Sequence, residues 1–305
     1  MRDAFINTLL MEAKKNPNLT LITGDLGFGV LDKYSEDLPK QFINSGINEQ
    51  TMMSMAAGFA STGKRVFVYS IGNFPTLRCL EQIRNDVCLM NNPVVVVSVG
   101  AGYSYGNQGY THHALEDIAV MRALPNLEVI VPADPLETVS ITKYLATTNK
   151  PTYLRIGKSN ELDIHTNKFE FRYGKIFELF PGNNGTFIFS GTVGHVVMEA
   201  QKLLQENGFN VAVASMPFVS NIDEEYLKSA AIRGPIIVIE EHAYRGGVGS
   251  AILEKINKLT LNVRVALVAS DQNNLSEIGD QKFLRERNGI SSENIISKFM
   301  ALLVN

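Results

Sequence analysis

The sequence predicts the α/β fold class, with two doubly wound domains: a larger one with a mostly parallel sheet, and a smaller one after it. Two observations lead to this prediction. Short apolar runs rich in β-branched residues alternate with helical patterns along the 305 residues, which is typical of parallel sheets. The apolar runs are also nearly uninterrupted, as expected for strands that are buried on both faces.

The first domain is expected to span residues 1–165. Its five strands are predicted from the runs "LTLIT" (19–23), "RVFVYS" (65–70), "PVVVVSVG" (93–100), "LEVIVPA" (127–133) and "TYLRI" (152–156). Helical patterns lie at about 3–15, 48–62, 75–90, 114–123 and 135–146.

A change in composition marks the end of this domain. The stretches "KSNELDIHTNKFEF" and "FPGNNGT" are polar and rich in turn residues, which is typical of segments that join domains. A linker is therefore expected over 166–184 and a second domain over 185–305. Its strands are predicted at 186–191, 210–216, 235–241 and 263–270, with helices from about 194, from about 247 and near 291–303.

The composition narrows the possible classes of function. Hydrophobic residues make up 45% of the chain and charged residues 19%, which suits a globular core and argues against disorder. The net charge of −3 argues against a general nucleic-acid binder, which needs a basic face. No apolar run reaches transmembrane length, and the first residues have the pattern of an amphipathic helix. We therefore expect a cytoplasmic protein with no membrane partner.

The two cysteines, Cys79 and Cys88, lie close together without a histidine at metal-ligand spacing. We interpret both as small buried hydrophobic residues, and we expect no protein metal site in this chain.

The candidate functional residues lie in loops that follow predicted strands. These loops are "GDLGFG" (24–29), "NSGINEQ" (44–50), "SIGNF" (70–74) and "GAGYSYGNQGYTHH" (100–113). Open parallel sheets bind their ligands at the carboxyl ends of strands, so these loops are expected to meet. Taken alone, Glu49 could simply be a carboxylate at a helix N-terminus, where its interaction with the helix dipole stabilises the helix by about a few tenths of a kcal/mol.

Several motifs, in this order along the chain, resemble those of transketolase-type thiamine diphosphate enzymes. They are "GDLG" (24–27), "GINEQ" (46–50) followed by "AAGFASTGKRVFVYS" (56–70), "NFPTLRCLEQIRND" (73–86), "GNQGYTHHALEDIAVMRALPNLEVIVPAD" (106–134) and "EEHAYRGGVGSAI" (240–252). The likeness covers essentially the whole chain. It implies a pyrimidine-binding domain followed by a transketolase C-terminal domain.

The resemblance implies that Glu49 is catalytic. In the family this glutamate shares a proton with N1′ of the cofactor's aminopyrimidine. That favours the imino tautomer, whose 4′ nitrogen takes the proton from C2 of the thiazolium. Burial beside an apolar ring favours a shared proton over one lost to water.

Further cofactor contacts are implied for residues of three loops. Phe74 matches an aromatic that stacks on the aminopyrimidine, although it could instead anchor its loop. Ile71 and Leu77 stand where the family has further aromatics and would form an apolar wall. Asp25 and Leu26 match residues beside the cofactor, and Asp25 could alternatively cap the next helix.

The resemblance also implies substrate contacts. His112 matches a catalytic histidine near the reacting carbons, and its alternative is an ordinary loop histidine. Gln108 replaces the usual aspartate that recognises a hydroxyl of the acceptor, and an amide can still donate and accept hydrogen bonds.

Arg2 and Lys158 fall where the family places cationic ligands for the acceptor's phosphate. Each could instead be an ordinary surface charge. Gly29 and Gly100 replace a serine and a histidine that also contact this phosphate, so a weaker phosphate site is expected.

The resemblance covers half of a complete transketolase. The diphosphate domain, with its "GDG" motif and downstream asparagine, has no counterpart in the sequence. We therefore expect a C-terminal subunit that binds thiamine diphosphate and Mg²⁺ with an N-terminal partner subunit, which would supply the Mg²⁺ ligands in an assembly resembling α2β2. The expected reaction moves a two-carbon ketol unit from a ketose or ketose phosphate to an aldehyde.

Three alternatives stay open at this point. The chain could belong to an acyloin-forming synthase that uses pyruvate, or be the β-type subunit of a 2-oxo acid dehydrogenase. It could also be a non-catalytic scaffold that kept the fold.

Overall fold

The structure, a computed structural model, describes residues 1–159, 161–166 and 169–304. It contains two sheets, one of six strands and one of five, with helices packed against them. The prediction of two α/β domains is confirmed. Residues 167 and 168, in the predicted linker, lie outside the described residues.

The first sheet is entirely parallel, with the order β2-β1-β3-β4-β6-β5. Its strands are β1 Leu19–Thr23, β2 Phe42–Asn44, β3 Arg65–Ile71, β4 Val94–Val99, β5 Glu128–Ile130 and β6 Thr152–Ile156. Every residue of β1, β4, β5 and β6 is buried, as the uninterrupted apolar runs predict.

Helices cover both faces of this sheet. They are α1 Arg2–Lys15, α2 Asp32–Asp37, α3 Glu49–Ser61, α4 Leu80–Gln82, α5 Asp117–Arg122 and α6 Pro135–Leu145. The helix predicted over 75–90 is not a continuous α-helix, because α4 covers only Leu80–Gln82 and continues as a π-helix over Ile83–Leu89. The helix predicted from 114 begins at Asp117, because Ala114 pairs with Gly102 in an antiparallel bridge.

The second sheet has the order β11-β10-β8-β9-β7 and is parallel except for its edge strand β7. Its strands are β7 Phe177–Phe180, β8 Thr186–Ser190, β9 Ala212–Ser215, β10 Ile236–Ala243 and β11 Val265–Ser270. The helices are α7 Gly194–Glu206, α8 Glu224–Arg233, α9 Val248–Lys258, α10 Gln281–Arg287 and α11 Ser292–Val304.

The segment predicted to be a linker thus contributes a strand. Residues of β7 pair antiparallel with β9, and the strand alternates half-buried and exposed residues. That alternation suits an edge strand with one face on the core. The exact boundaries of the two domains remain a prediction.

Backbone hydrogen bonds join strand β5 of the first sheet to the segment that follows β9 in the second domain. The Val131 N–H donates to the Pro217 carbonyl at 2.8 Å, and the Val219 N–H donates to the Val129 carbonyl at 3.0 Å. The apolar core is continuous across this junction, since one cluster of buried residues includes both Val129 and Val219. The second domain is therefore packed firmly against the first.

Candidate active site

The candidate site lies where the strand order of the first sheet reverses. From β1 the chain goes to β2 on one side and then returns to β3 on the other side. The loops after β1 and β3 therefore diverge and leave a crevice at the carboxyl ends of these strands, which is where open α/β sheets bind ligands.

Glu49 is the first residue of α3 and points into this region. The Asn48 side chain caps the helix by accepting a hydrogen bond from the Thr51 N–H at 3.3 Å. A Cβ on Gly24 would lie 3.9 Å from the Cγ of Glu49, so the loop after β1 passes close to the glutamate. Glu49 is only 5% exposed, although it is ionisable and belongs to a loop-to-helix junction.

Arg78 is the ion-pair partner of Glu49. Its Nη1 donates to Glu49 Oε2 at 2.7 Å, while the arginine side chain itself is 48% exposed. The Cζ of Arg78 also lies 4.7 Å from the centroid of the Phe74 ring, within cation–π range. The guanidinium of Arg78 thus contacts both the Glu49 carboxylate and the Phe74 ring.

The chain of contacts continues to His112. The rings of Phe74 and His112 meet edge to face with centroids 5.2 Å apart. Asn73 strengthens this link, because its amide donates to the His113 carbonyl. The structure therefore brings three sequence-predicted residues, Glu49, Phe74 and His112, into one connected arrangement.

Asp25 is held beside β2. It adopts a left-handed backbone with φ 56°, which aspartate tolerates better than most residues. Its backbone N–H donates to the Asn44 side-chain oxygen at 3.0 Å, and its carboxylate accepts from the Asn44 amide at 3.0 Å. The N-cap position of α2 is Leu31, so Asp25 does not cap that helix.

Arg2 and Lys158 both interact with Tyr105, which the sequence did not single out. The Nζ of Lys158 lies 4.7 Å from the Tyr105 ring centroid. Burial raises the pKa of Tyr105, and the charge of Arg2 opposes this rise. A Cβ on Gly100 would lie 2.1 Å from the Tyr105 ring, so only glycine leaves room for the tyrosine. Lys158 therefore lies over the Tyr105 ring, and Arg2 is close enough to interact with this tyrosine electrostatically.

The remaining predicted residues lie further out or deeper in the fold. Leu77 is 42% exposed, and Gln108 is exposed in a short turn over Gly106–Gln108. Ile71 is the half-buried last residue of β3, and Leu26 packs against the core beneath the loop.

Arg78 was also missed from the sequence. Its position four residues after Phe74 was a usable signal, because residues four apart in a helical segment share a face. The nearby Cys79 is buried, and burial raises its thiol pKa to about 12, with the Glu49 charge adding to the rise. Both cysteines are free and buried, as predicted.

The described residues contain no group of three or more His, Cys, Asp or Glu side chains that could hold a metal ion. Among the helices of the same residues, none is long and apolar enough to cross a membrane.

Comparison with known proteins agrees with this architecture. Residues 1–161 match the family model of the transketolase pyrimidine-binding domain, and residues 174–295 match that of the transketolase C-terminal domain.

Relatives of similar length support the same assignment. A subunit of the apulose-4-phosphate transketolase of Phocaeicola vulgatus is 34% identical over 267 residues, covering 87% of this chain and 86% of that protein. The subunit of the same name in Actinobacillus succinogenes is 30% identical over 88% of this chain and 87% of its own length. A solved structure described as "Split gene transketolase, inactive beta4 tetramer" superposes with a TM-score of 0.89 at 30% identity, covering 99% of this chain and 97% of that one. The chain therefore belongs to the transketolase family of thiamine diphosphate enzymes, and it contains that family's pyrimidine-binding and C-terminal domains.

Proposed function

We propose that this chain is the C-terminal subunit of a split, thiamine diphosphate-dependent transketolase. It transfers a two-carbon ketol unit from a ketose or ketose phosphate to an aldehyde, and it is active only with an N-terminal subunit that binds the diphosphate. The observation that carries the proposal is Glu49, a buried carboxylate at the head of α3 in the crevice at the carboxyl ends of β1 and β3.

The requirement for a partner is supported by the relatives. Two of them are named as one subunit of a transketolase, and this chain matches most of the length of each. The solved structure with the same fold is described as an inactive tetramer of β chains. In the proposal, the partner supplies the diphosphate site and the Mg²⁺ ligands, and the two subunits form an assembly resembling α2β2.

The residues present suit an aminopyrimidine ring. The Glu49 carboxylate would hold the proton at the ring's N1′, and the half-buried Phe74 would cover one face of the ring. Asp25, Leu26, Ile71 and Leu77 would line the rest of the crevice. When bound, the cofactor supplies the carbanion chemistry, while the protein positions it and holds the proton.

The substrate side would be formed by the glycine-rich loop, residues 100–113. His112 lies in contact with Phe74 and would hydrogen-bond the reacting substrate or move a proton at neutral pH. The exposed amide of Gln108 would bind a sugar hydroxyl. Arg2 and Lys158, which both interact with Tyr105, would bind a phosphate of the substrate.

The first experiment is calorimetric titration of thiamine diphosphate and Mg²⁺ into this chain alone, and then into its complex with the N-terminal subunit. The expected result is little or no binding to the chain alone and stoichiometric binding to the complex. Tight binding by the chain alone would place a diphosphate site within these residues and overturn the split-site proposal.

A second experiment tests the catalytic role of Glu49 in the assembled enzyme. Glu49→Gln removes the proton-sharing carboxylate and should lower turnover by about 100-fold or more, in the range of proton-transfer catalysis. Glu199→Gln makes the same chemical change at an exposed position of α7 and should leave turnover unchanged. Equal turnover in wild type and Glu49→Gln would favour a scaffold. Turnover with pyruvate in place of ketose phosphates would favour an acyloin-forming or dehydrogenase subunit.

A further inference from the structure

The glycine-rich loop, residues 100–113, is bound to the second domain by a buried carboxylate, and the Tyr103 hydroxyl forms a further hydrogen bond with Ser270 there. Glu241 lies in β10 and is only 2% exposed. Its Oε1 accepts a hydrogen bond from the backbone N–H of Tyr103 at 2.6 Å. A side chain of the C-terminal domain therefore binds the backbone of a loop that belongs to the pyrimidine-binding domain.

Glu241 is itself held by helix α10. Arg285 donates through Nε to Glu241 Oε2 at 2.8 Å, and also donates to Thr192 Oγ1 at 2.7 Å. The amide of Gln281 donates to both Glu241 oxygens at 3.0 Å and to Ser104 Oγ at 3.2 Å. Hydrogen bonds to a charged group are stronger than those between neutral groups, and these are also shielded from water.

The backbone of the glycine-rich loop lies in close contact with residues of the second domain. A Cβ on Gly102, whose φ is +59°, would lie 2.4 Å from Glu241 Cγ. A Cβ on Gly106 would lie 2.4 Å from the Gly279 carbonyl oxygen. Both glycines are needed because no side chain fits between the loop and the second domain.

We propose that Glu241 is a positioning residue for the glycine-rich loop, and that the C-terminal domain acts on the reaction by fixing this loop. Glu241, Gln281 and Arg285 form what we call the loop clamp. The inference rests on the proposed function in one respect: His112 and Gln108, at the far end of the loop, are taken to face the substrate.

The geometry explains why a clamp is needed. The turn that carries Gln108 begins at Gly106, and the next turn carries His112. A loop rich in glycine has many accessible conformations, so its polar side chains are positioned only if its base is fixed. The clamp fixes the base at Tyr103 and Ser104, ahead of both functional side chains in the chain.

Hydrogen exchange on the full chain tests the clamp without any cofactor. Glu241→Gln removes the charge that binds Arg285 and weakens the bond to the Tyr103 N–H. Amides of residues 101–116 should then exchange at least about tenfold faster, which corresponds to the loss of about 1.4 kcal/mol of local stability. Amides of α3 and β3 should keep their wild-type rates.

The neighbouring Glu240 provides a matched control. It is equally buried in β10, but it accepts from the N–H groups of Val248 and Gly249 at the start of α9. Glu240→Gln should therefore leave the exchange of residues 101–116 unchanged. Equal acceleration in both variants would show general destabilisation of the second domain and would overturn the proposal.

A milder pair of variants covers the case in which Glu241→Gln does not fold. Gln281→Ala removes the amide that joins Glu241 to Ser104 while leaving the ion pair to Arg285 in place. The next residue, Lys282, is 86% exposed, so Lys282→Ala is its control. Faster exchange of residues 101–116 in Gln281→Ala alone supports the clamp, and unchanged exchange in both variants overturns it.

Kinetics of the assembled enzyme give the second readout. Gln281→Ala should raise the KM of the acceptor substrate about tenfold, while the affinity for thiamine diphosphate stays within about twofold of wild type. A parallel loss of cofactor affinity would overturn a role confined to the loop. If the wild-type complex transfers no ketol unit, the proposed function fails, and the exchange experiment still decides whether the clamp holds the loop.

Discussion

Arg78 should compete with the cofactor for Glu49 and Phe74, and the variant Arg78→Met tests this. In the structure the guanidinium binds the Glu49 carboxylate at 2.7 Å and lies over the Phe74 ring. These are the two groups that the proposed site offers to an aminopyrimidine. The methionine removes the charge and the donors but keeps an apolar stem over the ring.

The magnitude follows from the two contacts. A hydrogen bond to a charged group contributes about 1.5–3 kcal/mol, and the half-exposed arginine reduces this to about 1 kcal/mol through screening. The cation–π contact at an exposed site adds about 0.5–1 kcal/mol. Without Arg78, the chain should therefore unfold more easily by about 1.5 kcal/mol, and the complex should bind thiamine diphosphate up to about tenfold more tightly.

The assays are urea unfolding of the chain and calorimetry of the complex, with Arg84→Met as the control. Arg84 is exposed in the nearby π-helix over Ile83–Leu89 and donates to its neighbour Asn85. Unchanged unfolding free energy would mean that the ion pair contributes nothing in solution. Weaker cofactor binding in Arg78→Met would refute the competition and would make Arg78 a ligand of the assembled site.

Two further predictions concern buried charges. Asp117→Ala leaves the guanidinium of Arg155 buried without the carboxylate that it binds at 2.7 Å. Urea titrations should therefore show a free energy of unfolding lower by about 3–5 kcal/mol. Adding Arg155→Met removes the unpaired charge and should restore a substantial part of this loss. The buried cluster of Glu137, His165 and Asp134 should make the free energy of unfolding fall as pH rises from about 5 to about 8. Burial raises the pKa of Glu137 to about 7. Burial opposes the charge of His165, but the hydrogen bond to Asp134 and the nearby carboxylates outweigh this effect, so the pKa of His165 is also raised. The folded state therefore holds more protons than the unfolded state in this window, and the stability that they confer, up to about 3 kcal/mol for Glu137, is lost on deprotonation. Unfolding free energies measured across this pH range should fall in wild type and stay flatter in Glu137→Gln, whereas equal slopes would contradict the assignment.

The strands of the first domain could be predicted well because their burial leaves a direct trace. The runs at 19–23 and 152–156 coincide with β1 and β6, since a strand buried on both faces must be apolar at nearly every position. Short edge elements leave no such trace. The three-residue β2 and the alternating β7 are partly exposed and short, so neither forms the long uninterrupted apolar run that marks a strand buried on both faces.

The site was predicted through motifs, and its contacts were not. The sequence singled out Glu49, Phe74 and His112, because each lies in a candidate loop and matches a family position. It did not predict that Arg78 contacts both Glu49 and Phe74, or that Arg2 and Lys158 both interact with Tyr105. Such contacts depend on side-chain directions in loops, which hydrophobic periodicity does not encode.

The backbone bonds between the segment at 217–219 and strand β5 also cover an edge of the first sheet. Strand β5 is the last strand of its sheet, and an edge of this kind offers unpaired N–H and C=O groups to any extended chain nearby. Here the loop after β9 occupies that edge at Val129 and Val131. A chain shortened to residues 1–165 would uncover both this edge and the apolar surface around it. We expect such a fragment to aggregate rather than fold, so the second domain contributes to the solubility of the first.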